Sequence, residues 1–165
     1  MRKGGSKALT TLQLNKELRS VRSLNALAAI VEARCLEFDG HHVATSIYSL
    51  AKLASGRSAD VAGFAVAGLL SQRLEEELHR DGLRHRSLSN VCWAVAKLSA
   101  ATPLLEGCAI SLAIAGASRA FEMNSQGLSN TCWAMAILQM KLRALLWRKP
   151  WRILTVMCRS GSVER

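Results

Sequence analysis

The chain has 165 residues, half of them apolar, a formal net charge of +10 and only two prolines, Pro103 and Pro150. Such an apolar fraction excludes a disordered chain, and no sustained period-two alternation points to strands. Residues 1–22 hold six Lys/Arg against one Glu and residues 141–165 seven against one, whereas residues 23–140 hold nine against ten acidic side chains.

The excess charge therefore sits on the ends and the middle is near neutral. A polyanion partner is plausible on total charge, but no continuous basic groove is legible. The longest uncharged stretch, Met123–Met140, has an apolar part of only about ten residues. A bilayer needs about 20, so no membrane span is expected.

In chain order, residues 1–22 form a basic flank. Met1–Thr11 is basic, hydroxylated and free of acid, a transit-peptide composition, and is a candidate targeting remnant. Next, Leu24, Leu27, Ala28, Val31 and Cys35 share one helix face, with Ser23 as N-cap. Phe38-Asp39-Gly40 is expected to stop that helix, glycine suiting the left-handed position after a C-terminus, and a second helix runs over about Val43–Leu53.

A second pair begins with Asp60 capping a helix to about Arg80, which Asp81-Gly82 ends; a basic loop, Leu83–Ser87, precedes a helix over Asn90–Leu98. A third starts at Thr102-Pro103, with proline in the first turn. Ala109, Leu112, Ala113, Gly116 and Ala120 form its face, Asn124–Gly127 breaks it, and Ser129/Asn130 open a helix to about Met140.

The strongest signal is a repeat. Leu88-Ser-Asn-Val-Cys-Trp-Ala-Val-Ala-Lys-Leu98 returns as Leu128-Ser-Asn-Thr-Cys-Trp-Ala-Met-Ala-Ile-Leu138, 40 positions later, and a weaker copy, Val43–Leu53, lies 45 positions upstream of Leu88. A period near 40 marks stacked helix pairs. The expected fold is all-α, a right-handed α-solenoid of about three helix-turn-helix repeats (about 23–54, 59–99 and 103–140) plus a partial C-terminal helix. Residues 141–165, with Trp147 and Trp151, read as a basic tail or an incomplete fourth repeat.

The repeated residues read as structural. Ser89/Asn90 and Ser129/Asn130 are expected to accept hydrogen bonds from first-turn amides, at about 1 kcal/mol per cap. Trp93 and Trp133 are expected to fill the space between repeats, with base stacking as the minority alternative. Cys92 and Cys132 read as small buried side chains. Five cysteines without a CxxC pair or Cys/His ligand spacing give no metal site.

A partner would be read by positions that vary but stay polar. These are His41/Arg86/Gln126, His42/Ser87/Gly127 and Lys52/Lys97/Ile137. Lys52, Arg84, Arg86 and Lys97 are candidates for phosphates, and Gln126 and His41 for base edges. No nucleophile–base–acid set and no phosphate-cradling glycine loop appears, so neither an enzyme, a cofactor nor a small-molecule substrate is expected.

The units Glu32–Leu53, Asn90–Leu98 and Asn130–Leu138 resemble the helical repeats of the octotricopeptide, RAP-domain and FAST-kinase-like proteins, over roughly residues 17–140. The first copy departs, with Thr45 and Tyr48 in place of Asn and Trp, and Ile137 replaces Lys in the last. That resemblance implies binding of single-stranded RNA in a mitochondrion or plastid, in transcript processing, stability or translation, with other RNA-processing proteins as further partners. No RAP domain is visible, and nothing supports kinase activity. A protein-binding scaffold of stacked helices is the alternative.

Overall fold

The computed structural model describes residues 4–54, 61–99 and 107–148. Its elements are α1 (Gly4–Ser20), α2 (Leu24–Arg34), α3 (Gly40–Leu53), α4 (Val61–His79), α5 (His85–Leu98), α6 (Ala109–Ser118) and α7 (Ser125–Arg148), with 3-10 turns at Cys35–Glu37 and Ala120–Glu122. The described chain is all helical. None of these helices is long and apolar enough to cross a membrane.

Two rows result. α1, α3, α5 and α7 pack in succession, and α2, α4 and α6 form a second row against them. The core runs between the rows through Leu27, Val31, Phe38, Ile47, Leu50, Leu70, Leu74, Leu88, Val91, Val95 and Leu112, all buried. α5 is the most enclosed helix: Leu88, Val91, Cys92, Ala94, Val95, Ala96 and Leu98 are buried, because it meets α3, α6 and α7. Its small side chains let neighbouring backbones approach closely.

The helix starts differ from those read in the sequence. α3 begins at Gly40, three residues before Val43, because Asp39 is its N-cap and not the end of the preceding helix; Asp39 Oδ1 accepts the His42 N–H at 2.9 Å. α5 begins at His85 and α7 at Ser125. Ser89 and Asn90, and Ser129 and Asn130, therefore lie inside helices and cap nothing. The Ser89 hydroxyl instead donates to the Arg86 carbonyl at 3.1 Å. At the cap position of α7, Asn124 Oδ1 accepts the Gly127 N–H at 2.8 Å. Arg84 holds the same position before α5 without a side-chain cap bond.

The end of α4 is a Schellman turn: the Gly82 N–H reaches the Glu77 carbonyl at 2.8 Å and the Asp81 N–H the Leu78 carbonyl at 3.2 Å. Asp81, at φ 52°, takes the left-handed place itself. Gly40 is needed for space, since a Cβ there would lie 2.3 Å from the Gly82 carbonyl oxygen, whereas a Cβ on Gly82 would meet the movable carboxylate end of Glu77.

The ends of the chain also depart from the reading by charge. Residues 4–20, set apart as a basic flank, form α1, which packs on α3 and buries Leu14 and Leu18. α7 continues past Met140 to Arg148. The Asp60 cap, the Thr102-Pro103 start and residues 149–165 lie outside the described residues.

Candidate functional site

The 45- and 40-residue spacings put His41, Arg86 and Gln126 at the second residue of α3, α5 and α7. All three are exposed. The next position is enclosed: His42, Ser87 and Gly127 are buried, so these three varying positions belong to the packing between helices, though Ser87 and Gly127 also form part of the cavity walls.

The exposed positions border a groove. One cavity of about 1050 Å3 is lined by Arg19, Val21, Arg22, His41, Ala44, Thr45, Tyr48, Ser49, Lys52, Leu53, Arg84, Arg86, Ser87 and Asn90. A second, of about 590 Å3, continues across Tyr48, His85, Arg86, Ser89, Asn90, Met123, Asn124, Gln126, Gly127 and Asn130. Tyr48, Arg86 and Asn90 belong to both. Of the six candidates, His41, Lys52, Arg84 and Arg86 meet in the first cavity and Arg86 meets Gln126 in the second. Gln126 donates to Asn130 Oδ1 at 2.9 Å.

Lys97 lines neither cavity. Its Nζ sits 4.9 Å above the Trp93 ring, one turn beyond Asn90 on the same helix. Trp93 fills space between units as expected, half-buried against the core and against Tyr48 of α3, whereas Trp133 is 45 % exposed. Cys92 is buried, and burial pushes its thiol up to about 12, whereas Cys132, expected to be buried like it, is exposed.

Charge is sorted across the molecule. No carboxylate lines the first cavity, and five cations do. Several acidic side chains pair with arginines outside it: Glu17 and Glu37 with Arg34 at 3.2 and 2.8 Å, Glu77 with Arg73 and Arg80 at 3.5 and 3.4 Å, and Asp81 and Glu122 with Arg119 at 3.0 and 2.7 Å. Glu77, with Asp39, also lines a neighbouring cavity of about 560 Å3 that shares His41, Arg84 and Ser87 with the first. Glu76 binds Arg73 as well. Residues 23–140 supply three of the groove cations, Lys52, Arg84 and Arg86, so the remainder of that segment is net acidic. Sequence reasoning missed Arg19 and Arg22, which enter the groove because α1 folds against α3.

Beneath the groove, Asp39 and His42 clamp the start of α3. His42 Nδ1 lies 2.7 Å from Asp39 Oδ1, and its Nε2 lies 3.3 Å from the Thr11 carbonyl of α1. The hydrogen bond from His42 holds the Asp39 carboxyl down at about 2 despite partial burial. On His42 burial opposes charge, but the Asp39 hydrogen bond and charge and the Thr11 carbonyl outweigh it, and its pKa is raised. Arg34 works against protonation from α2.

Neutral with its proton on Nε2, the ring donates to the Thr11 carbonyl while Nδ1 accepts the Asp39 N–H at 3.2 Å; protonated, it keeps the tie to α1 and donates from Nδ1 to the Asp39 carboxylate as well. Its stabilisation is complete below the ordinary imidazole value of 6.5 and is lost as pH rises through the higher folded value. That of Asp39 is complete above 3.8 and lost as pH falls through about 2. Urea unfolding of the wild-type protein is expected to show falling stability above neutral pH, and His42→Gln to flatten that limb. A wild-type limb identical to that of the variant would refute the clamp. His41 shifts oppositely: burial lowers its pKa, Asp39 offsets this in part, and Arg19, His42 and Arg84 lower it further.

An all-helical chain with a repeat-like pairing of helices and a cationic groove across one row is the class these features define. No family model matches the chain, and neither a curated protein nor a solved structure is detectably similar to it.

Proposed function

We propose that the chain is a right-handed α-solenoid of three two-helix units whose groove binds single-stranded RNA. It acts, on this reading, in the processing, stability or translation of transcripts in a mitochondrion or plastid. The observation that carries the binding step is the cavity lined by Arg19, Arg22, Lys52, Arg84 and Arg86 without a carboxylate. Cations so placed release the counterions of a polyanion on binding. Asn90, Gln126 and Asn130 add amide donors and acceptors along the same path, which suits base edges. The organellar setting rests on the resemblance of Asn90–Leu98 and Asn130–Leu138 to the octotricopeptide, RAP-domain and FAST-kinase-like repeats.

The test is retention of single-stranded RNA by the purified protein across a salt series. Five phosphate contacts predict a slope of log affinity against log salt of about −3.5, at about 0.7 per contact. Absence of retention at low salt, or a slope near zero, would exclude this reading. A protein-binding scaffold is then favoured, and Ile110, Ile114 and Phe121, exposed on and beside α6 in the outer row, are the surface it would use.

A further inference from the structure

The cationic groove leaves a row of aromatic rings beside it without a role. Tyr48, Trp93 and Trp133 occupy one repeat position in α3, α5 and α7, 45 and 40 residues apart. The rings of Tyr48 and Trp93 touch, with centroids 5.3 Å apart and planes tilted by 41°. Lys52 Nζ lies 5.6 Å over the Tyr48 ring and Lys97 Nζ 4.9 Å over the Trp93 ring, both within cation–π range. Two of the three rings are therefore already covered, each by the lysine one turn further along its helix.

Trp133 differs. Ile137 stands where the lysine would be, and the ring is 45 % exposed. Trp93, with a packed helix on either side, α3 and α7, is half-buried, so part of the exposure of Trp133 belongs to its place on the last described helix. Trp133 also shares a face of α7 with Gln126 and Asn130, seven and three residues earlier, which line the groove.

We infer that Trp133 is a stacking platform for one unpaired nucleobase, and that Lys52 and Lys97, steadied over Tyr48 and Trp93, contact the phosphates of the strand leading to it. This rests on the proposed RNA binding. The platform is Trp133 because a base inserted between two rings needs roughly twice the 3.4 Å stacking spacing, and the Tyr48–Trp93 pair is already closed. A base in a duplex has both faces covered by its neighbours, so an open ring selects an unpaired one. Every base offers a flat π face, so the contact is tolerant of sequence.

The experiment measures binding of a 12-residue oligouridylate, and of an abasic oligomer with the same backbone, to the full chain and to Trp133→Ala and Trp133→Tyr. Trp133→Ala should weaken oligouridylate binding roughly ten-fold or more, leave its salt slope unchanged, and leave the abasic oligomer unaffected. Trp133→Tyr should restore most of the loss, which a merely structural tryptophan would not require. Oligouridylate binding by Trp133→Ala within two-fold of wild type, with the wild-type salt slope intact, would overturn the stacking role and leave the RNA reading standing. Equal wild-type affinity for both oligomers would do the same. Failure of the wild-type protein to bind either at low salt would overturn both.

Discussion

Reversing Arg84 and Arg86 together to glutamate will weaken single-stranded RNA binding by about two orders of magnitude at low salt and reduce the salt slope by about 1.4, at about 0.7 per lost phosphate contact. Both side chains are exposed and line the first cavity, and Arg86 also lines the second. Two contacts are lost and two repulsive charges are placed where the strand must pass. The control is Arg80→Glu. Arg80 is exposed too, but it lines neither cavity and pairs with Glu76 and Glu77 at 3.7 and 3.4 Å. Binding by that variant should stay within two-fold of wild type at equal ionic strength. Equal losses for the two reversals would mean that net charge alone draws the RNA and that the groove is not the site.

Leu18→Ala will destabilise the protein by about 2–5 kcal/mol in urea unfolding, the range for truncating a fully buried leucine. Leu18 is 0 % exposed, Leu14 one turn earlier is buried with it, and their helix packs on α3. Leu12, on the same helix but 67 % exposed, provides the comparison: Leu12→Ala should stay within about 0.5 kcal/mol. A loss below about 1 kcal/mol for Leu18→Ala would mean that α1 is appended to the fold and not part of it. Because Arg19 follows Leu18 and lines the groove, undocking α1 should also weaken RNA binding.

What the sequence showed most clearly is the second helix of each pair. Leu88–Leu98 and Leu128–Leu138 recur on α5 and α7, each of which packs against the preceding helix of the same row. Their starts were hidden. The true cap positions are Asp39, Arg84 and Asn124, and arginine cannot accept an amide hydrogen bond, so no common cap residue recurs. Ser-Asn does recur and offered a false start. α1 was obscured by its own charge, since Leu14 and Leu18 are separated by Asn15, Lys16 and Glu17 and two leucines make a weak face. The groove was illegible for a different reason. Net charge over a segment is a sum, and it does not reveal that arginines 34, 73, 80 and 119 pair with Glu17, Glu37, Glu76, Glu77, Asp81 and Glu122 while arginines 19, 84 and 86 line the groove.

The openness of Trp133 is not legible in the sequence because an apolar stretch of helix does not say which of its sides the fold leaves open. Tyr48 at the same register was the available clue. A ring with a hydroxyl at an equivalent position is ill-suited to a sealed interior, and it marks this stripe as one with access to solvent.

On α5, Leu88, Ser89, Cys92 and Ala96 are buried, yet their counterparts on α7, Leu128, Ser129, Cys132 and Ala136, are exposed. α7 covers the first set and thereby exposes a copy of the surface on which it sits. The molecule is in this respect a template for its own extension. A further helix pair of the same pattern, added by fusion, would find on α7 the same contour and small side chains that α5 offers, and would gain roughly 25 cal/mol for each Å2 of apolar surface covered. Each such addition would lengthen the row by one helix, and on the proposed RNA binding the length of strand contacted would rise with the number of units.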